Sequence, residues 1–298
     1  MNNPAFTIGA VERDTGLAKD TLRVWERRYG FPRPERDANG ERLYPAVQVE
    51  RLRLIKRLMD QGFRPGKLVM ADDTELAALG APPLHAQATA GDGVLHEIIA
   101  LTRANDVASL RSALTQTMHR QGLQRFVLET VPLLNTAIGD AWMRGEVQVF
   151  EEHLYTEQLQ SLLRQAIHAL PPGAGRPRVV LTTVPEEQHV LGILMSECLL
   201  TLEGAACISL GTQTPLVDIA RAAIAHEADI VALSFSSAFA SRQVGPLLEQ
   251  LRTLLPTTIA LWAGGGGCPR QASRTGVQII ESLPEILAAL SRWRESRG

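Results

Sequence analysis

The chain has 298 residues, 45% of them hydrophobic and 21% charged, with a net charge of −2, a composition typical of a globular protein with room for two or three domains. It has neither a run of about 18 apolar residues, as a membrane span requires, nor the basic and apolar start of a signal peptide, so we expect no membrane partner. The cysteines, three in all and none paired at ligand spacing, argue against a disulfide framework or a zinc cluster and fit a cytoplasmic protein.

The charge is distributed unevenly along the chain. Residues 1–70 contain 14 Lys and Arg against 9 Asp and Glu, a net of +5, so the remaining 228 residues carry a net of −7. A small basic block in front of a mildly acidic body predicts a module that binds a polyanion, joined to something else.

The basic block begins with TIGAVERDTGLAKDTLRVWERRYG, which predicts a helix, a turn and a second helix. Thr7 can cap the first helix, and Gly16 lies in the turn. The second helix, about 18–29, carries the arginines Arg23, Arg27 and Arg28. A short helix with a basic face suits the major groove of DNA, where arginine contacts phosphates or guanine edges.

A hairpin follows in FPRPERDANGERLYP, where Asn39-Gly40 is a strong signal for a two-residue turn. Its arms form a basic wing with Arg33, Arg36 and Arg42. The helix AVQVERLRLIKRLMDQG comes next. An isolated basic helix is usually just a solvated surface, but helix, basic helix, wing and helix in this order favour DNA binding.

This stretch closely resembles the DNA-binding domain of MerR-family regulators. The resemblance implies an all-α winged helix-turn-helix module over residues 1–70, which binds as a dimer to an inverted-repeat operator in double-stranded DNA. Such operators usually lie at promoters, so RNA polymerase is among the implied partners. The implied DNA contacts are Lys19, Thr21, Arg23, Arg27, Arg28, Arg42 and Tyr44. Many members sense metals through cysteines beyond a long helix; this chain has neither, so we expect a different effector.

Residues 71–93 are rich in Ala, Pro and Gly and predict a linker with room for one short helix. In residues 94–170, apolar residues recur at intervals of three and four, which predicts four helices with short connections and hence a four-helix bundle.

After the break PPGAGRP, β-rich runs alternate with helical runs over residues 176–298. The predicted strands are RVVLTT, ACISL, DIVALSF, TIALWAGG and VQII. This alternation predicts an α/β Rossmann-like (flavodoxin-like) domain with a parallel sheet, whose ligand lies at the carboxyl ends of the strands.

The segment PEEQHVLG, residues 185–192, occupies such a strand-to-helix corner. From the residues alone, His189 can be a catalytic base, a metal ligand or a histidine that caps a helix, and for a lone histidine the structural role is the common one.

The run from Glu187 through His189 to Gly192 resembles the Asp-x-His-x-x-Gly signature of cobalamin-binding domains, with Glu in place of Asp. The spacing also matches: 41 residues separate Gly192 from Ser234, and 27 separate Ser236 from the glycine pair Gly264 and Gly265. The resemblance implies that His189 ligates cobalt from below in place of the cofactor's own base. A carboxylate before it can accept the other ring N–H and orient the ring; Glu187 is the residue aligned with the family, and its neighbour Glu186 is the weaker alternative. Small residues at the strand ends leave a slot for the displaced nucleotide tail. Ser236 departs from the family, which usually has Leu there.

In the helical segment, the run Trp142-x6-Val149-x2-Glu152-His153 is, by composition alone, a core tryptophan followed by solvated polar residues. Its spacing is similar to that of cobalamin-dependent MerR photoreceptors of the CarH and LitR type. The resemblance implies that these four residues contact the upper ligand, typically 5′-deoxyadenosyl. The implied cofactor is therefore adenosylcobalamin, with methylcobalamin as the second form.

Met143 departs from that pattern, because the light-responsive members have a histidine directly after the tryptophan. A thioether is a weaker ligand for Co(III) than imidazole, so the same bis-histidine photoproduct cannot form through this residue. A light response that uses another ligand and a plain cobalamin sensor are both compatible with the sequence.

Together these patterns predict a transcriptional regulator, most simply a repressor, that is not an enzyme and whose homo-oligomeric state, dimer or tetramer, depends on cobalamin. By resemblance, photolysis of adenosylcobalamin would disperse the DNA-bound oligomer. One alternative is a corrinoid protein that carries methyl groups for a transferase, although the fused helix-turn-helix counts against it. Another is a regulator whose cobalamin fold is empty and serves protein contacts.

Overall fold

The computed structural model describes residues 5–37, 40–60, 63–79, 92–171, 175–269 and 276–297. The chain forms two compact units, Met1–His85 and Ala86–Gly298. The first contains the basic block, and the second contains the predicted bundle and the parallel sheet.

The described residues of the N-terminal unit form five helices and a small sheet. Its elements are β1 (Ala5–Thr7), α1 (Ile8–Thr15), α2 (Lys19–Tyr29), β2 (Glu35–Arg36), β3 (Arg42–Pro45), α3 (Ala46–Asp60), α4 (Pro65–Met70) and α5 (Asp73–Leu79). The strands pair antiparallel in the order β1-β3-β2. The description of this module as all-α omits the sheet, and β1 was not predicted because three residues are too few to show an alternating pattern.

Local sequence signals explain the helix-turn-helix. Thr7 caps α1 by accepting a hydrogen bond from the backbone N–H of Ala10 at 3.3 Å. Gly16 ends α1 in the left-handed conformation, with φ of 68°, where an L side chain is strained. Both predictions are confirmed. Leu22 and Trp25 bury one face of α2, which leaves the opposite face to solvent.

The first residues of the predicted linker 71–93 are folded. It contains α5, and Arg51 of α3 lies 3.0 Å from Asp73 and donates a hydrogen bond to the carbonyl of Ala71 at 2.5 Å. These contacts attach the start of the linker to the N-terminal unit. Residues 80–91 of the linker, and Asn39 of the predicted hairpin turn, lie outside the described residues.

The four helices predicted for residues 94–170 are present. They are α6 (Asp92–Arg103), α7 (Val107–Gln121), the run from α8 (Leu123–Arg125) into α9 (Val131–Met143), and α10 (Val149–Ala169). A π-helical turn (Phe126–Thr130) joins α8 to α9, and there the N–H of Val131 bonds to the carbonyl of Phe126.

All five predicted strands form one parallel sheet. They are β4 (Gly175–Thr182), β5 (Ala205–Ser209), β6 (Ile230–Ser234), β7 (Ala260–Gly264) and β8 (Val277–Ile280), in the order β5-β4-β6-β7-β8. The connections reverse direction between β4 and β6. In sheets of this order a ligand binds outside the carboxyl ends of the two strands at the reversal.

Helices cover both faces of the sheet. They are α11 (Leu191–Leu202), α12 (Leu216–Ala225), α13 (Ser241–Leu254) and α14 (Leu283–Glu295). On one face α12 and α13 enclose a core of their own. On the other, side chains from the bundle, from α11, from α14 and from the sheet form one continuous core. The bundle is therefore packed onto the sheet through α10 and α11, although residues 94–170 and 176–298 were predicted as separate domains.

Candidate functional site

The loop between β4 and α11 places a histidine and a carboxylate at the reversal point of the sheet. Its conformation is set by Glu186, which has φ of 70°, and by Thr183, whose hydroxyl donates to the carbonyl of Glu187 at 2.6 Å. The same hydroxyl accepts the backbone N–H of Gln213 at 2.8 Å. This loop is thereby fixed to the segment that follows β5.

Glu187 lies at the centre of a hydrogen-bonded group with His189 and Ser236. Its Oε1 lies 2.7 Å from His189 Nδ1 and accepts the backbone N–H of His189 at 3.0 Å. Its Oε2 accepts the backbone N–H and the hydroxyl of Ser236 at 2.7 and 2.9 Å. A carboxylate only accepts hydrogen bonds, so Nδ1 carries a proton. The neutral ring then presents the lone pair of Nε2.

Burial and hydrogen bonding shift the pKa values of Glu187 and His189 in opposite directions. The side chain of Glu187 is 1% exposed, and burial raises its pKa, but the hydrogen bonds from His189 and Ser236 outweigh burial and lower the pKa to about 2. The hydrogen bond to Glu187 raises the pKa of His189 against the opposing effect of burial. Glu187 is therefore held as an anion that orients a largely exposed imidazole.

A cavity of about 350 Å³ lies beside this group, between the sheet and the helices on its bundle side. Small or polar residues line much of it, among them Asn135, Gly192, Ser196, Ser234, Gly264 and Gly265. The structure thus places four of the predicted site residues around one slot at the carboxyl ends of β6 and β7.

Two glycines keep the slot open and its walls close together. A Cβ at Gly192 would collide with the hydroxyl of Ser234, and one at Gly265 would collide with the carbonyl of Phe235. Gly265 also has φ of 101°, which L side chains rarely adopt. Glycine is thus required at Gly265, where the neighbour is backbone, whereas a side chain at Gly192 would force the Ser234 hydroxyl to move.

The residues predicted to cover the upper face lie where α9 ends and α10 begins. Trp142, Met143 and Val149 are half-buried, and His153 is exposed, with Nε2 3.7 Å from an oxygen of Glu152. The charge of Glu152 also contributes to the raised pKa of His189, so the start of α10 and the histidine loop are within electrostatic range.

Two residues of this region, Thr183 and Asn135, were not predicted from the sequence. Thr183 is fully buried at the end of a strand, where its hydroxyl joins two loops. Asn135 is a polar residue within the apolar run VPLLNTAI, and that interruption was a usable signal.

The second candidate surface is the exposed face of α2. Arg23, Val24, Arg27 and Arg28 are exposed there, opposite the buried face, while Lys19 and Thr21 are partly buried. Lys19 and Arg23 also pair with the acidic side chains of Glu12 and Asp20.

The wing residues Arg42 and Tyr44 differ in their contacts and burial. Arg42 is bound to Glu26 of α2 at 2.9 Å, which ties the wing to the helix. Tyr44 is completely buried, so the DNA contact predicted for it is wrong for this conformation. The strand alternates faces, and the side chain of Tyr44 points into the core of the unit rather than toward solvent.

Two features are absent from the residues that the structure describes. None of the described helices is long and apolar enough to cross a membrane. Within the same ranges, no group of three or more His, Cys, Asp or Glu side chains is arranged to enclose a metal ion.

The buried Glu187 predicts a pH-dependent stability in the protein without added cofactor. Because its pKa is about 2 when folded and near 4.5 ordinarily, ionised Glu187 stabilises the fold above pH 4.5, and this contribution is lost as the pH falls from 4.5 toward 2. We expect Glu187→Gln to lower the free energy of unfolding by about 1–3 kcal/mol at pH 6, and the difference from wild type to shrink at pH 3. Urea unfolding followed by circular dichroism measures this.

The matched control is Glu186→Gln, since that neighbour is exposed; it should alter stability little at either pH. A difference between wild type and Glu187→Gln that stays constant from pH 6 to pH 3 would contradict the assignment of an ionised, hydrogen-bonded Glu187.

The chain is similar to known proteins over most of its length. Residues 6–71 match the model of the MerR HTH family regulatory proteins. The chain is 30% identical over 299 residues to the HTH-type transcriptional repressor CarA of Myxococcus xanthus, covering 98% of each chain. It is 29% identical over 294 residues to the HTH-type transcriptional repressor CarH of the same organism, covering 95% of this chain and 94% of that one.

Among solved structures, the Methanosarcina barkeri monomethylamine corrinoid protein has the same fold as the C-terminal part. The TM-score is 0.55 at 13% identity, over 68% of this chain and 99% of that chain. With near-complete coverage of the two repressors and a MerR-type helix-turn-helix at its N-terminus, the chain belongs to the CarA and CarH family of transcriptional regulators.

Proposed function

We propose that this chain is a repressor that binds operator DNA through its N-terminal unit and cobalamin through its C-terminal unit, with His189 as the lower axial ligand of cobalt. The observation that carries the proposal is the group formed by Glu187, His189 and Ser236 at the reversal point of the sheet, with a cavity at the neighbouring carboxyl ends of β6 and β7. A fold shared with a corrinoid protein supports it.

The residues below the proposed corrin fit the group chemically. His189 has a ring that is 60% exposed and a protonated Nδ1, so Nε2 is available to a metal. Carboxylates that accept the other ring N–H fix the tautomer and raise ligand basicity, and their loss typically costs about 10–100-fold in metal affinity. Glu187 has this role, and Ser236 positions Glu187 in turn.

The cavity fits the second requirement of a histidine-bound cobalamin. When a histidine replaces the cofactor's own base, the nucleotide tail that carries the base must be accommodated elsewhere. A slot of about 350 Å³ with Gly192, Ser234, Gly264 and Gly265 in its walls has the size and the small side chains for it.

For the upper face we propose the predicted set from the bundle. The half-buried Trp142 and Val149 would pack on the upper ligand, and Glu152 and His153 would provide polar contacts. A 5′-deoxyadenosyl group offers both an aromatic base and hydroxyls to such a set, so adenosylcobalamin is the proposed form. When bound, it would supply a cobalt that a histidine can ligate and a cobalt–carbon bond that light breaks.

The coupling to DNA is proposed to act through oligomerisation. A ligand held between the bundle and the sheet would fix the positions of α9 and α10. The positions of these helices would in turn determine how copies of the chain assemble on an inverted repeat. A ligand shifts such an equilibrium only as far as it binds one assembly more tightly than another.

His189→Ala tests the lower ligand. After reconstitution with adenosylcobalamin in the dark, wild type should show the base-off, histidine-bound corrin spectrum, and His189→Ala should lose that signature together with most of its affinity, because no other described side chain in the loop offers an imidazole. Visible spectroscopy and equilibrium dialysis measure both quantities.

His226→Ala is the matched control, since His226 follows α12 at the opposite edge of the sheet, and it should behave as wild type. An unchanged spectrum in His189→Ala would overturn the ligand assignment. Wild type that takes up no corrinoid would favour a regulator with an empty fold, and methyl transfer without operator preference would favour a methyl carrier.

Arg27→Ala tests the DNA-binding face. Arg27 is exposed in the last turn of α2, and its loss should weaken binding to an operator selected from random DNA by wild type. If Arg27 contacts a base, we expect the variant to lose about 1–3 kcal/mol of binding free energy and the preference at that base position. If it contacts a phosphate, we expect weaker binding to all sequences and a slope of log K against log salt concentration that is smaller by about one. Arg221→Ala on α12 is the control, and equal loss in both variants would contradict the assignment.

Met143→His tests the response to light. We expect illumination of the adenosylcobalamin-loaded wild type to reduce its oligomer size and its operator binding. In Met143→His, an imidazole on the upper face should retain more corrinoid through gel filtration after illumination, because it is a stronger ligand than a thioether. Wild type whose size and operator binding are the same in light and dark would overturn the light response and leave a plain cobalamin sensor.

A further inference from the structure

We propose that Asn135, on helix α9 of the bundle, is a specificity residue for the nucleotide tail of the corrinoid and donates a hydrogen bond to it from its side-chain amide. The inference rests on the proposed cobalamin function, and deepens it by assigning to the bundle a contact below the corrin as well as above it.

The position of Asn135 supports this role. Among the described residues that line the cavity, Asn135 and Pro132 come from the bundle, while the others belong to the sheet, to α11, to α14 and to the loops beside them. Pro132 has no polar side chain. Asn135 is therefore the described bundle residue whose side chain can exchange hydrogen bonds with whatever fills the slot.

Tyr155 determines which end of the amide faces the slot. Its hydroxyl donates to Asn135 Oδ1 at 2.9 Å, and its side chain is 1% exposed in the bundle core. Burial raises the pKa of Tyr155 far above its usual value, so the phenol remains a neutral donor. Because a buried hydroxyl is destabilising without a partner, the amide oxygen stays turned toward Tyr155, and the NH₂ group is left for the cavity side.

The NH₂ of Asn135 differs from the other polar groups that line the cavity because it can only donate hydrogen bonds. Ser196, Ser234 and Ser282 carry hydroxyls that can donate or accept, and Glu281 carries a carboxylate. Asn135 adds a fixed donor on the bundle wall. The nucleotide tail carries a phosphate, a ribose and a base, all of which offer acceptors, whereas a corrinoid that lacks the tail offers none of them in the slot.

The test compares cobalamin with cobinamide, the same corrin without the nucleotide tail. Asn135→Asp preserves an acceptor for Tyr155, replaces the cavity-side NH₂ by an oxygen and adds a negative charge. We expect this variant to lose about tenfold or more in affinity for adenosylcobalamin relative to wild type, and to bind adenosylcobinamide as wild type does. Tyr155→Phe, which releases the amide without changing its identity, should show a smaller loss with the same preference.

Thr136→Ala is the matched control, because Thr136 is the exposed neighbour of Asn135 and bonds to the carbonyl of Pro132 in its own helix. It should bind both corrinoids as wild type does. Equal losses for cobalamin and cobinamide in Asn135→Asp, or no loss for either, would overturn the inference while leaving the proposed function intact. Failure of wild type to bind either corrinoid would instead refute the proposed function. Thermal unfolding of each variant shows that the fold is retained.

Discussion

The buried carboxylate of Glu187 is the constraint on which the ligand site depends. It accepts four hydrogen bonds, two from His189 and two from Ser236, and so joins the loop after β4 to the loop after β6. A buried carboxylate must be hydrogen-bonded to remain ionised. The demand that this one anion be satisfied therefore fixes both the ring of His189 and the distance between the loops that border the cavity.

Much of this arrangement could be predicted because it follows from local patterns. Periods of three and four residues located the bundle helices, and β-rich runs located all five strands of the large sheet. The Glu-x-His-x-x-Gly run and its spacing to Ser234 and Gly264 marked one edge of the sheet, since the carboxyl ends of parallel strands meet there. These signals are contained in short windows of sequence or in simple separations between them.

The remaining features depend on tertiary packing that no window contains. The burial of Tyr44 reflects which face of a four-residue strand turns inward, and β1 gains its structure only by pairing with β3. Ser236 was predicted as a small residue beside a slot, but its hydroxyl and N–H bind Glu187, 49 positions away in sequence. The single core shared by the bundle and the sheet likewise arises from contacts between α10 and α11 that periodicity cannot reveal.

The π-helical turn Phe126–Thr130 determines which face of α9 is turned toward the candidate site. One residue of helix corresponds to about 100° of rotation, so the wider i to i−5 turn offsets α9 from α8 by roughly a quarter turn relative to an uninterrupted α-helix. Asn135 and Trp142 are seven residues apart, about two turns, and therefore share a face of α9. The offset rotates both side chains by the same angle. The register of this helix is thus a single structural variable that would set the proposed upper and lower contacts with a ligand together.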